Sequence, residues 1–147
     1  MPELGVAVVG LGYWGPNIAR NFAAVDGCKL SWCCDASASA RARASAAFPG
    51  VRVTDELDEL LTDPALDAVA LATPVPTHAA LATRVLESGK HCFVEKPLAQ
   101  SVADAEAAVA AAARAARILM VGHLLEYHPG VQKLKQLVDS GELGEEI

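Results

Sequence analysis

A chain of 147 residues, 52% hydrophobic and 20% charged, carries enough apolar material for one domain with its own core and too much for a disordered segment. Its net charge of −6 and pI near 5.1 argue against nucleic acid or an anionic membrane as the main partner. Phosphate-bearing ligands stay open, because a helix N-terminus binds them without basic side chains.

The chain starts with MPELGVAVVGLG, which lacks the positive stretch of a secretory signal and runs directly into a strand pattern, GVAVVG at 5–10. No apolar run reaches the roughly 18 residues of a membrane span. A helical pattern follows at 13–25, with Pro16 tolerable only in its first turn and Ile18, Phe22 and Val25 at helical spacing. KLSWCCD (29–35) reads as a second strand and SASARARASAAF (37–48) as a helix with Arg41 and Arg43 facing solvent. A short strand at 51–54 precedes a short helix at 55–62, whose early acids suit the helix dipole.

LDAVALAT (66–73) is a nearly continuous apolar strand, as expected in a parallel sheet covered on both faces. A helix at 76–89 ends in glycine. HCFVE (91–95) is a fifth strand, and Ser101 with Asp104 forms a capping-box-like start to an alanine-rich helix at 101–116. RILMVGHL (117–124) is a sixth strand, and 129–141 a last helix. The alternation predicts an α/β, doubly wound parallel sheet (a Rossmann fold) of about six strands in the order 3-2-1-4-5-6, with helices on both faces.

Cys28, Cys33, Cys34 and Cys92 form no C-x-x-C pair. Cys33 and Cys34 are strand neighbours that point to opposite faces, so the thiols read as reduced, in a cytoplasmic protein. His78, His91, His123 and His128 share no zinc-like spacing with them, and no metal site is expected.

Gly10-Leu11-Gly12-Tyr13-Trp14-Gly15 fits G-x-G-x-x-G between a predicted strand and a predicted helix, and Asp35 stands 20 residues past Gly15 at the end of the second strand. Gly10 would make the tight turn. Gly12 would let a pyrophosphate approach the backbone, and Gly15 would let the helix pack on the strand. Asp35 would accept hydrogen bonds from the adenosine ribose and repel a 2′-phosphate, favouring NAD over NADP. Two other readings stay open at this point: a glycine turn with no ligand, and FAD or another adenosine ligand.

Thr73-Pro74, Glu95-Lys96-Pro97 and Gly122-His123 fall at the carboxyl ends of strands four, five and six, where ligands of such sheets bind. With VVGLGYWGPNIARNF, CCDAS, LATPVPTHAALA, ESGKHCFVEKPLAQS and VGHLLEYHPGVQKLKQLVDSGELGE, these residues resemble the N-terminal half of the Gfo/Idh/MocA oxidoreductases, named for glucose–fructose oxidoreductase and inositol dehydrogenase. The E-K-P triplet after T-P-x-x-x-H carries most of that likeness.

The resemblance implies a domain that binds NAD(P) and an enzyme that moves a hydride between nicotinamide and a sugar, cyclitol or nucleotide-linked sugar. It implies that Lys96 polarises the substrate oxygen, that Glu95 lies near the nicotinamide ribose, and that Pro97 follows a cis peptide. Thr73, Pro74 and His78 would line the cofactor cleft, with Tyr13, Trp14 and His123 also on the cofactor side. A lysine beside a carboxylate stays charged and can stabilise a developing alkoxide. Leu124 and Leu125 after His123 depart from the polar residues of many relatives. The resemblance also implies a homo-oligomer at full length. A second domain would bear the catalytic acid/base and begin after SGELGEEI, which makes residues 1–147 one dinucleotide-binding domain with about 125–147 as a linker helix. The expectation is therefore a cofactor domain without its substrate domain, with apolar surface uncovered near the sixth strand and last helix. The reading from a different class is a non-catalytic dinucleotide sensor.

Overall fold

The computed structural model describes residues 3–144. Met1, Pro2 and Glu145 to Ile147 lie outside the described residues, and with them the extreme ends of the expected domain and the point where a second domain was expected to begin.

Six parallel strands, β1 (Leu4–Val9), β2 (Cys28–Cys34), β3 (Arg52–Thr54), β4 (Ala68–Leu71), β5 (His91–Val94) and β6 (Leu119–Val121), form one sheet in the order β3-β2-β1-β4-β5-β6. The helices are α1 (Gly15–Ala24), α2 (Ala38–Ala47), α3 (Leu57–Leu61), α4 (His78–Glu87), α5 (Val102–Ala115) and α6 (Pro129–Asp139). Both fold class and strand order agree with the sequence reading.

The period-two alternation of the strands divides the core in two. Ala7, Val9, Cys34, Val69, Leu71 and Val94 pack with residues of α4 and α5. Val8, Leu30, Cys33 and Ala70 pack with Ala19 of α1 and with Ala40 and Ala44 of α2. Cys33 and Cys34 thus do face opposite ways, and both are buried because both faces are covered. Burial pushes the Cys33 and Cys34 thiols up to about 11 and Cys92 to about 12, so they behave as small hydrophobes rather than nucleophiles. The alanine-rich α5 lies close to α4 through Ala108, Ala111 and Ala112, as its small side chains permit.

Helix ends follow local chemistry. Ser101 Oγ accepts from Asp104 N at 3.1 Å, and the same hydroxyl donates to the Asp104 carboxylate at 2.7 Å, a variant of the expected box. Gly89 follows α4 at φ +83°, as its C-terminal role requires. Several elements are shorter than the sequence suggests. The fourth strand ends at Leu71, and 73 belongs to the loop beyond it. A 3-10 turn at Val75–Thr77 precedes α4. The sixth strand keeps only three residues, because at the sheet edge it pairs with β5 alone and the chain then turns into a 3-10 segment at Leu124–Tyr127.

That edge is also where apolar side chains lie open. Ile118, Met120, Leu124 and Leu125 are exposed, as are Val131, Leu134 and Val138 on one stripe of α6, which buries no residue. No helix among the described residues is long and apolar enough to cross a membrane.

Candidate functional site

The carboxyl ends of β1 and β2 make the first part of the site. Gly10 takes φ +89°, and a Cβ there would sit 2.6 Å from the Ala72 carbonyl carbon. A Cβ on Gly15 would meet the Gly10 carbonyl oxygen. These two glycines therefore serve the close docking of turn, helix and β4 loop. Gly12 is different: a Cβ there would meet nothing within 4 Å. The space above it is open.

Among the described residues, the N–H groups of Gly12, Tyr13 and Trp14 donate to no protein acceptor, while Leu11 N donates to Asp35 Oδ2 at 2.6 Å. Unpaired donors at the N-terminus of a helix, in front of an open glycine, fit the pyrophosphate of a dinucleotide. Tyr13 and Trp14 stand edge to face with ring centroids 5.4 Å apart, and Tyr13 is 84% exposed.

Asp35 is fixed by two bonds, with Oδ2 accepting from Leu11 N and Oδ1 from Ser37 N at 2.7 Å. Each carboxylate oxygen keeps a further lone pair for a ribose hydroxyl. Arg41 corrects the sequence reading. It does not point into solvent: its Nη1 donates to the carbonyl oxygens of Asp35 (2.8 Å) and Ala36 (2.9 Å), and its Nη2 pairs with Asp55 at 3.0 Å. The pull is the cluster of carbonyl oxygens at the β2–α2 turn, which helix periodicity does not reveal. Arg43 is exposed, as read.

The ends of β4 and β5 make the second part. A cleft of about 230 Å³ is lined by Tyr13 and Trp14 on one side and by Thr73, Pro74, Glu95 and Lys96 on the other, with His78 at its base. Residues from three separate loops thus meet in one place. Lys96 is exposed, and the Lys96–Pro97 peptide is cis. Glu95 accepts from the Lys96 backbone N at 3.3 Å, and among the described residues no ion pair joins its carboxylate to the Lys96 ammonium. Lys96 lines the cleft.

His78 is 1% exposed with both ring nitrogens bonded, so it forms the floor of the cleft and presents no polar atom to it. Thr73 Oγ1 accepts from Thr77 Oγ1 at 2.8 Å. His123 is exposed beyond β6 and stands apart from the lining of this cleft.

Sequence reasoning placed Gly122 at a strand end without giving it a role, and it missed Asp55 and a second hollow along α1. Gly122 lies under Glu95, where a Cβ would come 3.0 Å from Phe93 Cζ and 3.4 Å from Glu95 Oε1. Asp55 anchors Arg41. Trp14 and Glu95 also border a second hollow of about 290 Å³ that Asn17 and Asn21 of α1 line. The glycine at 122 was a readable signal; the other two depend on contacts distant in sequence.

A parallel 3-2-1-4-5-6 sheet with an open glycine turn, an acid at the end of β2 and a polar cleft over β4 and β5 defines a dinucleotide-binding Rossmann domain. The chain belongs to the GFO_IDH_MocA family, the oxidoreductase family with an NAD-binding Rossmann fold, which it matches over residues 4–123. It is 35% identical, over 149 aligned residues, to an inositol 2-dehydrogenase of Mycolicibacterium smegmatis, covering 100% of this chain and 43% of that protein. Among solved structures it resembles GenD2 of gentamicin A biosynthesis, in complex with NAD, at 34% identity and TM-score 0.90, covering 97% of this chain and 40% of that one. It also resembles KijD10, a 3-ketoreductase of Actinomadura kijaniata in complex with TDP-benzene and NADP, at 25% identity and TM-score 0.87, covering 97% and 45%. The chain spans less than half the length of these relatives.

Proposed function

We propose that this chain is the cofactor-holding part of a dehydrogenase that moves a hydride between NAD and a carbon of a sugar, cyclitol or nucleotide-linked sugar. One observation carries the reading: the turn whose N–H groups at Gly12 to Trp14 find no acceptor among the described residues borders the same cleft as Lys96, through Tyr13 and Trp14. In that arrangement the glycine turn holds the pyrophosphate and Asp35 the adenosine ribose. Thr73, Pro74 and Glu95 border the nicotinamide end, while the exposed His123 lies outside the cleft lining. NAD supplies the hydride acceptor. The Lys96 ammonium supplies fixed positive charge where a substrate oxygen gains negative charge.

Asp35 sets the preference for NAD, since a 2′-phosphate would meet its carboxylate. Substrate contacts and general acid–base help, worth typically about 10²–10⁴-fold, belong to the length that the relatives have and these 147 residues do not span. The chain by itself should then bind cofactor without efficient turnover.

Parallel calorimetric titrations with NADH and NADPH test this. NADH binding well ahead of NADPH is the expected result. Equal affinities would remove the role given to Asp35, and a folded chain that binds neither would end the proposal. In a full-length enzyme carrying this sequence, Lys96→Ala should lower kcat by roughly 10²-fold or more with cofactor affinity little changed.

A further inference from the structure

His78 opens α4, lies 1% exposed, and has its ring between two loops. Nδ1 is 2.8 Å from the carbonyl oxygen of Pro97, and Nε2 is 2.7 Å from the carbonyl oxygen of Thr73. One buried ring thus spans the loop after β4 and the loop after β5.

We infer that His78 is the positioning residue that locks the loop after β4 to the loop after β5, because one buried ring reaches a backbone carbonyl oxygen in each.

The consequence follows from what the ring grips. Thr73 lines one side of the cleft and Lys96 precedes the gripped Pro97, so the two bonds fix the separation of these side chains. Resting on the cofactor reading above, this makes His78 a determinant of the nicotinamide end alone. The glycine turn and Asp35 are held by other bonds.

Titrations test the inference. NADH and ADP-ribose, which lacks the nicotinamide, are titrated into wild type and His78→Gln. NADH affinity should fall on the order of tenfold, with ADP-ribose affinity held within about twofold. Equal loss of both ligands would show a general structural role and overturn the positioning claim, as would an unchanged NADH affinity. Wild type binding neither ligand would sink the cofactor reading and positioning with it. Where His78→Gln does not fold, His78→Asn carries the same titrations, and failure of both variants to fold would show a general structural role and overturn the claim.

Discussion

The glycine turn after β1 and the loops after β4 and β5 face one cleft, but they are held in opposite ways. At the turn, the atoms proposed to face the ligand are backbone N–H groups, and their placement comes from side chains that are missing: Gly10 and Gly15 leave no room for a Cβ. At the loops, the atoms proposed to face it belong to side chains, Thr73, Glu95 and Lys96, and the loops that carry them are joined by a buried ring that bonds two carbonyl oxygens 24 residues apart in sequence. The first region is a local motif docked as a unit. The second exists only once the sheet has assembled. A phosphate contact tolerates generic donors, whereas hydride chemistry needs particular groups at particular separations.

The sharpest break in that comparison lies within the turn itself. Gly10→Ala puts a Cβ 2.6–2.7 Å from backbone atoms of Ala72 and Thr73 and forces a non-glycine residue to φ +89°. Backbone cannot step aside as a side chain can, so the expected loss is about 3 kcal/mol or more of stability, read by thermal or urea unfolding. A loss below about 1 kcal/mol would mean that the turn is not docked rigidly on β4. Gly12→Ala should do the reverse. With nothing within 4 Å of the new methyl, stability should stay within about 0.5 kcal/mol of wild type. NADH affinity should nonetheless fall on the order of tenfold, because the methyl occupies the space the pyrophosphate needs. If Gly12→Ala binds NADH normally, the open space above the turn is not the phosphate site.

The same contrast explains what was legible in the sequence. The alternation of strands and helices, the strand order and the glycine turn with Asp35 all rest on local periodicity or on a motif of fixed spacing; the structure agrees with the first two, and it joins the turn to Asp35 through Leu11 N. The sequence also marks the residues at the ends of β4 and β5, because strand ends are readable. It does not reveal how they are held. Nothing in T-P-x-x-x-H says that the histidine turns inward to two carbonyl oxygens rather than toward a ligand. Nothing in the helical pattern at 37–48 says that Arg41 bends back to the β2–α2 turn while Arg43 stays in solvent. A long polar side chain chooses between water and an orphan carbonyl by tertiary placement, and one-dimensional periodicity carries no signal for that choice.

Arg41 gives the finest test, because it asks whether the glycine side also depends on a remote anchor. Its guanidinium bonds two carbonyl oxygens of the turn that bears Asp35, and Asp55 holds its other end. The side chains of the Arg41–Asp55 pair are 23% and 53% exposed, so solvent screens the pair and Asp55→Asn should cost less than about 1 kcal/mol, shrinking further in salt. Arg41→Ala also strips the two carbonyl oxygens of their donor and should cost more, about 1–2 kcal/mol. If the turn is set by Asp35 alone, through Leu11 N and Ser37 N, NADH affinity should move less than about threefold in either variant. A larger loss in Arg41→Ala than its stability change accounts for would place Arg41 beside His78 as a second long-range anchor. The division between a locally built phosphate side and a remotely built chemical side would then give way to a cleft that tertiary contacts set at both ends.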